Sequence, residues 1–111
     1  MKKFLVIYKS TVSAKDQMAH ATPEQAKAGL QMWSAWMQKA SKAIVDMGSP
    51  LGDAATLAGG KATPLATQLG GFGIVQGETR EQLAALFADH PHLHAPGAAI
   101  EIHEVLALPG Q

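Results

Sequence analysis

Residues 71–93 read GFGIVQGETREQLAALFADHPHL, and this stretch decides the fold because it contains a complete strand–helix unit. The apolar run at 71–77 predicts a strand with Phe72 and Ile74 on one face. The capping-box pattern at 79–82 predicts a helix start. His90-Pro91 predicts the helix end, because the residue before a proline is disfavoured in the helical conformation. Between these signals the helix carries Leu83, Leu86 and Phe87.

Upstream of this unit the sequence predicts a strand and one long helix. The run Phe4–Tyr8 is continuous, apolar and partly β-branched, which is typical of a buried strand. The segment Thr22-Pro23-Glu24-Gln25 combines a capping box with a proline at the first helical position. Apolar residues then recur at steps of three or four, as on the buried face of an amphipathic helix that Gly48 and Pro50 end. This apolar stripe consists of Ala26, Leu30, Trp33, Met37, Ala40, Ile44 and Met47.

Two further segments complete the pattern of elements. Ala54–Ala58 is a candidate short strand, and Ala99–Leu108 is predicted to be the last strand. Because side chains alternate along a strand, the last strand has two different faces. One face carries Ile100 and Ile102, and the other carries Glu101 and His103.

The order strand, helix, two strands, helix, strand predicts an α+β fold of the ferredoxin-like βαββαβ type. Its antiparallel sheet would carry both helices on one face, and residues 1–111 would form a single domain. The other sheet face would leave Leu5, Ile7 and Val75 uncovered, which is a large apolar patch for a monomer. We therefore expect a homodimer through this open sheet face, with a cavity between the sheet and its partner.

Composition narrows the classes of function. Nine basic residues balance nine acidic ones without a Lys/Arg cluster, so we expect no nucleic-acid partner and no polybasic membrane anchor. Cysteine is absent, which excludes disulfides, thiolate metal ligands and a cysteine nucleophile. The apolar run after Lys2-Lys3 is too short for a signal peptide, and no segment approaches a membrane span. A cytoplasmic location is the resulting expectation.

An ordered set of segments resembles the YCII-related proteins, particularly the DGPF-type branch. These segments are KKFLVIYK (2–9), WSAW (33–36), IVDMGSPLG (44–52), GGFGIVQGETREQLAALFADHPHL (70–93) and IEIHEV (100–105). The resemblance implies a dimeric α/β-barrel built from ferredoxin-like subunits, with acid–base enzyme activity suspected for some members.

The family's acid–base pair cannot be carried over to this chain. Small YCII-related proteins tend to have a histidine in the first helix and an aspartate before the proline of the loop after the second helix. This chain has Gln31, Met32 and Trp33 in the helix, and His90 precedes Pro91. What the resemblance transfers is a location, namely the region around Asp46 and the His-Pro-His-Leu loop.

The leading functional hypothesis is small-molecule acid–base chemistry, of a lyase or isomerase kind, in the dimer cavity. We assign His90, His92 and Asp46 as candidate catalytic residues, because a histidine beside a carboxylate has a fixed tautomer and can exchange a proton with a substrate. Asp46 would lie in the last turn of the first helix, where the dipole disfavours an anion, so a loop histidine is expected to compensate it. The alternative is a solvated aspartate.

Four further residues are candidates for binding a small-molecule ligand: Trp33, Trp36, His94 and His103. For the two tryptophans, simple core packing is the alternative. Two other functions remain open, a non-catalytic binding or interaction module and a metal site formed by the histidines at 90, 92 and 94. We assign no cofactor and no firm metal ligand.

Overall fold

A computed structural model describes residues 1–65, 69–95 and 97–110 of the protein. Within these residues it is an α+β structure with an antiparallel sheet and three helices, consistent with a ferredoxin-like α+β fold. The strands are β1 (Lys2–Lys9), β2 (Ile44–Pro50), β3 (Ala54–Ala58), β4 (Lys61–Leu65), β5 (Leu69–Gly77) and β6 (Ala99–Glu104). The helices are α1 (Ala14–His20), α2 (Pro23–Lys39) and α3 (Arg80–Phe87).

The predicted helix starts at Thr22 and Thr79 are confirmed. The Thr22 hydroxyl accepts a hydrogen bond from the Gln25 backbone N–H at 3.1 Å, and the Gln25 side chain accepts one from the Thr22 N–H at 3.0 Å. The Thr79 hydroxyl accepts from the Gln82 N–H at 3.0 Å. These bonds satisfy backbone donors that have no partner inside the helix, so both helices begin at defined residues.

The prediction of one helix reaching Met47 is wrong. Helix α2 ends at Lys39, a single 3₁₀ turn spans Ser41–Ala43, and β2 begins at Ile44. The β-branched pair Ile44-Val45 favours an extended backbone, and β2 pairs with β5 through Ile44 and Val75. The second strand of the main sheet is therefore residues 44–50.

The main sheet has the strand order β2–β5–β1–β6, and all its neighbouring strands are antiparallel. Strands β3 and β4 form a separate two-stranded hairpin between β2 and β5. The predicted short strand at 54–58 is thus a hairpin strand. The last strand is shorter than predicted and ends at Glu104 instead of Leu108.

The core lies on the helix side of the sheet. Phe4, Val6 and Tyr8 of β1 point to this side and pack with side chains of α2 and α3. Leu83 and Phe87 are 2% and 3% exposed, and burial of each such side chain stabilises the fold by about 1.5–3 kcal/mol. Val75 is also buried here, so its predicted place on the uncovered face is wrong, since it pairs with Phe4 on the core side.

The apolar stripe of α2 is only half buried. Its second half packs on the core through Trp33, Met37 and Ala40, as predicted. Its first half does not join the core cluster, and Ala26 and Leu30 are exposed. Of the helices in the described residues, none is long and apolar enough to cross a membrane.

Candidate functional site

His90 is completely buried behind the end of α3. Its Nδ1 accepts a hydrogen bond from the His92 backbone N–H at 3.0 Å, so the proton of the neutral ring is on Nε2. Nε2 is buried and has no hydrogen-bond partner among the described residues. Burial, followed by the charge of His92, lowers the pKa of His90 to about 4. His90 is therefore neutral at pH 7 and cannot reach a substrate.

Both tryptophans pack around His90. The ring centroids of Trp33 and Trp36 each lie 4.4 Å from that of His90, and Trp33 also contacts Tyr8 at 5.0 Å. The Trp36 indole N–H is buried without a hydrogen bond of normal geometry in the described chain, although it helps to lower the pKa of the neighbouring Asp89. This arrangement favours the packing role for both tryptophans over ligand binding.

His92 is held at the end of β1. Its Nε2 lies 2.7 Å from the Lys9 carbonyl oxygen, which can only accept, so Nε2 carries a proton and donates it. The ring packs edge-on against Tyr8, with centroids 5.4 Å apart. Burial raises the pKa of Tyr8 to about 12, so the phenol stays protonated. His92 is half-buried on the core side of the sheet.

Asp46 does not join the histidines. It lies in β2 and not in the last turn of a helix, so the predicted conflict with a helix dipole does not arise. The carboxylate accepts a hydrogen bond from the Gly48 backbone N–H at 2.7 Å. Asp46 pairs with Ile74, on the face opposite the core, whereas His90 packs on the core side against Tyr8. The expected pairing of Asp46 with a loop histidine is wrong for this reason.

The loop histidines at 90, 92 and 94 form no metal site in the part of the chain that the structure describes. His94 is exposed, and the ring of His90 is enclosed by aromatic side chains. Within residues 1–65, 69–95 and 97–110, no group of three His, Cys, Asp or Glu side chains is placed to hold a metal ion. The histidines at 90, 92 and 94 are close in sequence without converging on one point.

The face of the main sheet opposite the helices, here called the open face, has an apolar centre. Leu5 pairs with Ile74, and Ile7 pairs with Phe72, which makes a block of four large apolar side chains. All four are only partly buried, and none belongs to the helix-side core. At the β6 edge of this block His103 pairs with Leu5 and Glu101 pairs with Ile7. The open face therefore combines an apolar floor with a polar edge.

The polar edge is a connected network of Lys9, Glu101 and His103. One Glu101 carboxylate oxygen lies 2.9 Å from His103 Nε2, and the other lies 3.1 Å from Lys9 Nζ. The hydrogen bond with His103 and then that with Lys9 hold the pKa of Glu101 below its usual range. Glu101 is thus an acceptor-only carboxylate, and neutral His103 must donate from Nε2 and carry its lone pair on Nδ1.

This network is the histidine–carboxylate arrangement that acid–base chemistry needs. His103 Nδ1 makes no hydrogen bond within the described chain, and the side chain is 55% exposed, so a substrate can reach it. The sequence placed Glu101 and His103 on one strand face correctly, but it considered Glu101 only as a possible metal ligand, gave it no acid–base role, and missed Lys9. Lys9 could have been identified from the pairing of β1 with β6, which places it opposite Ala99 at the β6 edge of the sheet.

Function has to be inferred from this geometry. Comparison with known proteins finds no family model that matches the chain and no curated protein that is significantly similar to it.

Proposed function

We propose that the protein is a homodimeric acid–base enzyme acting on a small carbonyl compound at the open face, with His103 as the base. The observation that carries the proposal is the hydrogen bond between His103 Nε2 and Glu101, at 2.9 Å on an uncovered sheet face. The carboxylate fixes the tautomer, orients the ring and stabilises the imidazolium that forms when the ring takes a proton.

The fold supports a cavity at this place. The strand order β2–β5–β1–β6, with α2 and α3 as the connections on one side, is the order expected of a ferredoxin-like domain, in agreement with the resemblance to YCII-related proteins. Such a sheet has one face without helices, and here that face exposes the apolar block of Leu5, Ile7, Phe72 and Ile74. A second copy is the proposed cover, and the space between the two copies would exclude bulk water.

The proposed reaction needs no partner besides the substrate. His103 Nδ1 takes a proton from the carbon next to the carbonyl group, the electron pair of that C–H bond forms a C=C bond, and the π pair of the C=O bond moves onto the oxygen. Lys9, a cation 3.1 Å from Glu101, lies where it can attract a carboxylate or the developing oxyanion. As the C=O bond re-forms, the imidazolium returns the proton to the same carbon, which gives exchange, or, where the enolate is conjugated with a C=C bond, to the far carbon of that bond, which moves the double bond and gives an isomerisation without any redox change.

A proton-exchange assay tests the proposal. Small carboxylic acids with a second carbonyl group are incubated with the native protein in D₂O, and deuterium incorporation next to that carbonyl is followed by ¹H NMR. We expect exchange above the buffer rate for at least one compound, and a loss of about 100-fold or more in His103→Gln, since a general base contributes about 10²–10⁴-fold. The control is His20→Gln, which changes an exposed histidine on α1.

Two results would contradict the proposal. One is equal exchange by the native protein and the His103→Gln variant. The other is the absence of any compound that exchanges faster than in buffer, which would leave a binding role for the open face and no catalytic one. Circular dichroism of each variant establishes that the fold is retained.

A further inference from the structure

The β3–β4 hairpin has one completely apolar face. The pairs Ala55–Pro64 and Leu57–Ala62 place four apolar side chains on this face, while the other face is mixed, with Thr56, Thr63 and Lys61 beside Ala54, Ala58 and Leu65. All four apolar residues are exposed, and Leu57 is 75% exposed. In the described chain neither strand has a substantial interface with any other element. A two-stranded hairpin is marginally stable by itself in water, so this face requires a cover.

A second apolar surface without a cover lies on the first half of α2. Leu30 is 69% exposed and Ala26 is exposed, although both continue the stripe that packs on the core further along the helix. Pro23 lies beside them and is exposed as well. This surface resembles the hairpin face in composition, since each has one leucine surrounded by proline and alanine.

Both surfaces extend from the same end of the main sheet. Strand β1 ends there at Lys9 and leads into α1 and α2, and β2 ends there at Pro50 and leads into the hairpin. An ion pair between Lys15 and Asp53, at 3.4 Å, joins the bases of the two projections. A two-fold axis near this end would bring the hairpin of each copy to α2 of the other, so that the contact occurs twice.

The area of the chain agrees with an extensive contact between copies. Its radius of gyration is 15.6 Å, whereas about 13 Å is expected for a compact domain of this length. Its accessible surface is 7841 Å², about 2,000 Å² more than a folded monomer of this mass exposes. Two chains together have an excess of about 4,000 Å², which lies within the ~2,000–5,000 Å² that obligate dimers bury.

We infer that the apolar face of the β3–β4 hairpin, formed by Ala55, Leu57, Ala62 and Pro64, docks onto Pro23, Ala26 and Leu30 of a second copy of the chain. The inference rests on the homodimer of the proposed function and adds a specific contact outside the open face. The net charge of zero does not oppose association of identical chains.

The absence of cysteine makes a direct test simple, because each introduced thiol is then the only one in its chain. Leu57→Cys protein is mixed with Leu30→Cys protein, and a short bis-maleimide is added. We expect a cross-linked dimer in which mass spectrometry identifies the peptide joining positions 30 and 57. The matched control replaces Leu57→Cys with Thr56→Cys, which puts the thiol on the other hairpin face and should cross-link several-fold less.

The outcomes separate this inference from the proposed function. A chain that is dimeric by light scattering but gives no cross-link between positions 30 and 57, or as much with Thr56→Cys, contradicts the hairpin contact and leaves the open-face site intact. A monomeric chain contradicts the hairpin contact and the homodimer together. Loss of proton exchange in the His103→Gln variant is measured independently of either result.

Discussion

The burial of His90 predicts a specific dependence of stability on pH. The unfolded chain binds a proton at this ring near pH 6.5, whereas in the folded chain the pKa is about 4. Between these values the unfolded state holds more protons, so the free energy of unfolding falls as the pH is lowered. From pH 7 to pH 4.5 this ring alone should remove about 2.5 kcal/mol of stability.

The His90→Phe variant isolates this contribution. Phenylalanine retains an aromatic ring among Trp33, Trp36 and Phe87 but does not titrate. The variant loses the hydrogen bond that the His92 backbone N–H donates to the ring. It also removes the buried Nε2–H, which has no partner in the described structure. Each effect changes the free energy of unfolding by about 1 kcal/mol at pH 7, and the two act in opposite directions.

Urea denaturation at pH 7 and pH 4.5, at one protein concentration, measures the difference. We expect the native chain to lose about 2.5 kcal/mol more than the His90→Phe variant between the two pH values. His94→Gln, which changes an exposed histidine of the same loop, should behave like the native chain. An equal loss in the native chain and in His90→Phe would refute the burial of a neutral ring at this position.

Three other perturbations have defined outcomes. In His103→Leu, which removes the donor, the pKa of the Glu101 carboxyl should rise towards its ordinary value, because the hydrogen bond from His103 is the largest cause of its lowering; a ¹³C NMR titration that shows no rise would contradict the network. Gly48→Ala should destabilise the fold by about 3 kcal/mol or more, because its φ is +71° and a Cβ would lie 1.8 Å from the Phe72 carbonyl oxygen. Gly52→Ala is the control, since its Cβ would meet no atom within 4 Å, and similar melting temperatures for both variants would count against the β2–β5 geometry. Leu83→Ala should cost about 2–5 kcal/mol in chemical denaturation, as its side chain is 2% exposed, and a cost below about 1 kcal/mol would contradict its place in the core.

Local signals in the sequence predicted most element starts but misplaced β2. Thr22 and Thr79 cap their helices through hydrogen bonds with residues three positions further along the chain, so a short segment of sequence is enough to predict each helix start. Ile44 and Met47 continue the helical spacing of the apolar stripe, and this spacing favoured a longer helix. The β-branched pair Ile44-Val45 favours an extended backbone instead, and the structure has a strand there. Asp46 was assigned to the wrong element as a result.

Parts of the candidate site depend on contacts that no short window contains. The alternation along β6 predicted that Glu101 and His103 share a face, because strand periodicity is local. Lys9 joins them only through the pairing of β1 with β6, across 92 positions of sequence. His90 looked like an accessible loop residue, and only the packing of two α2 tryptophans against it makes it a core residue.

The association state of the chain tests most directly whether the open face is a covered site. Light scattering at micromolar concentration should give twice the 11.6 kDa mass of one chain. Ile7→Lys, which places a charge in the apolar block of the open face, should reduce that mass to one chain while circular dichroism stays unchanged. A native chain that is monomeric, or an Ile7→Lys variant that remains a stable dimer, would contradict a cavity between the open face and a second copy.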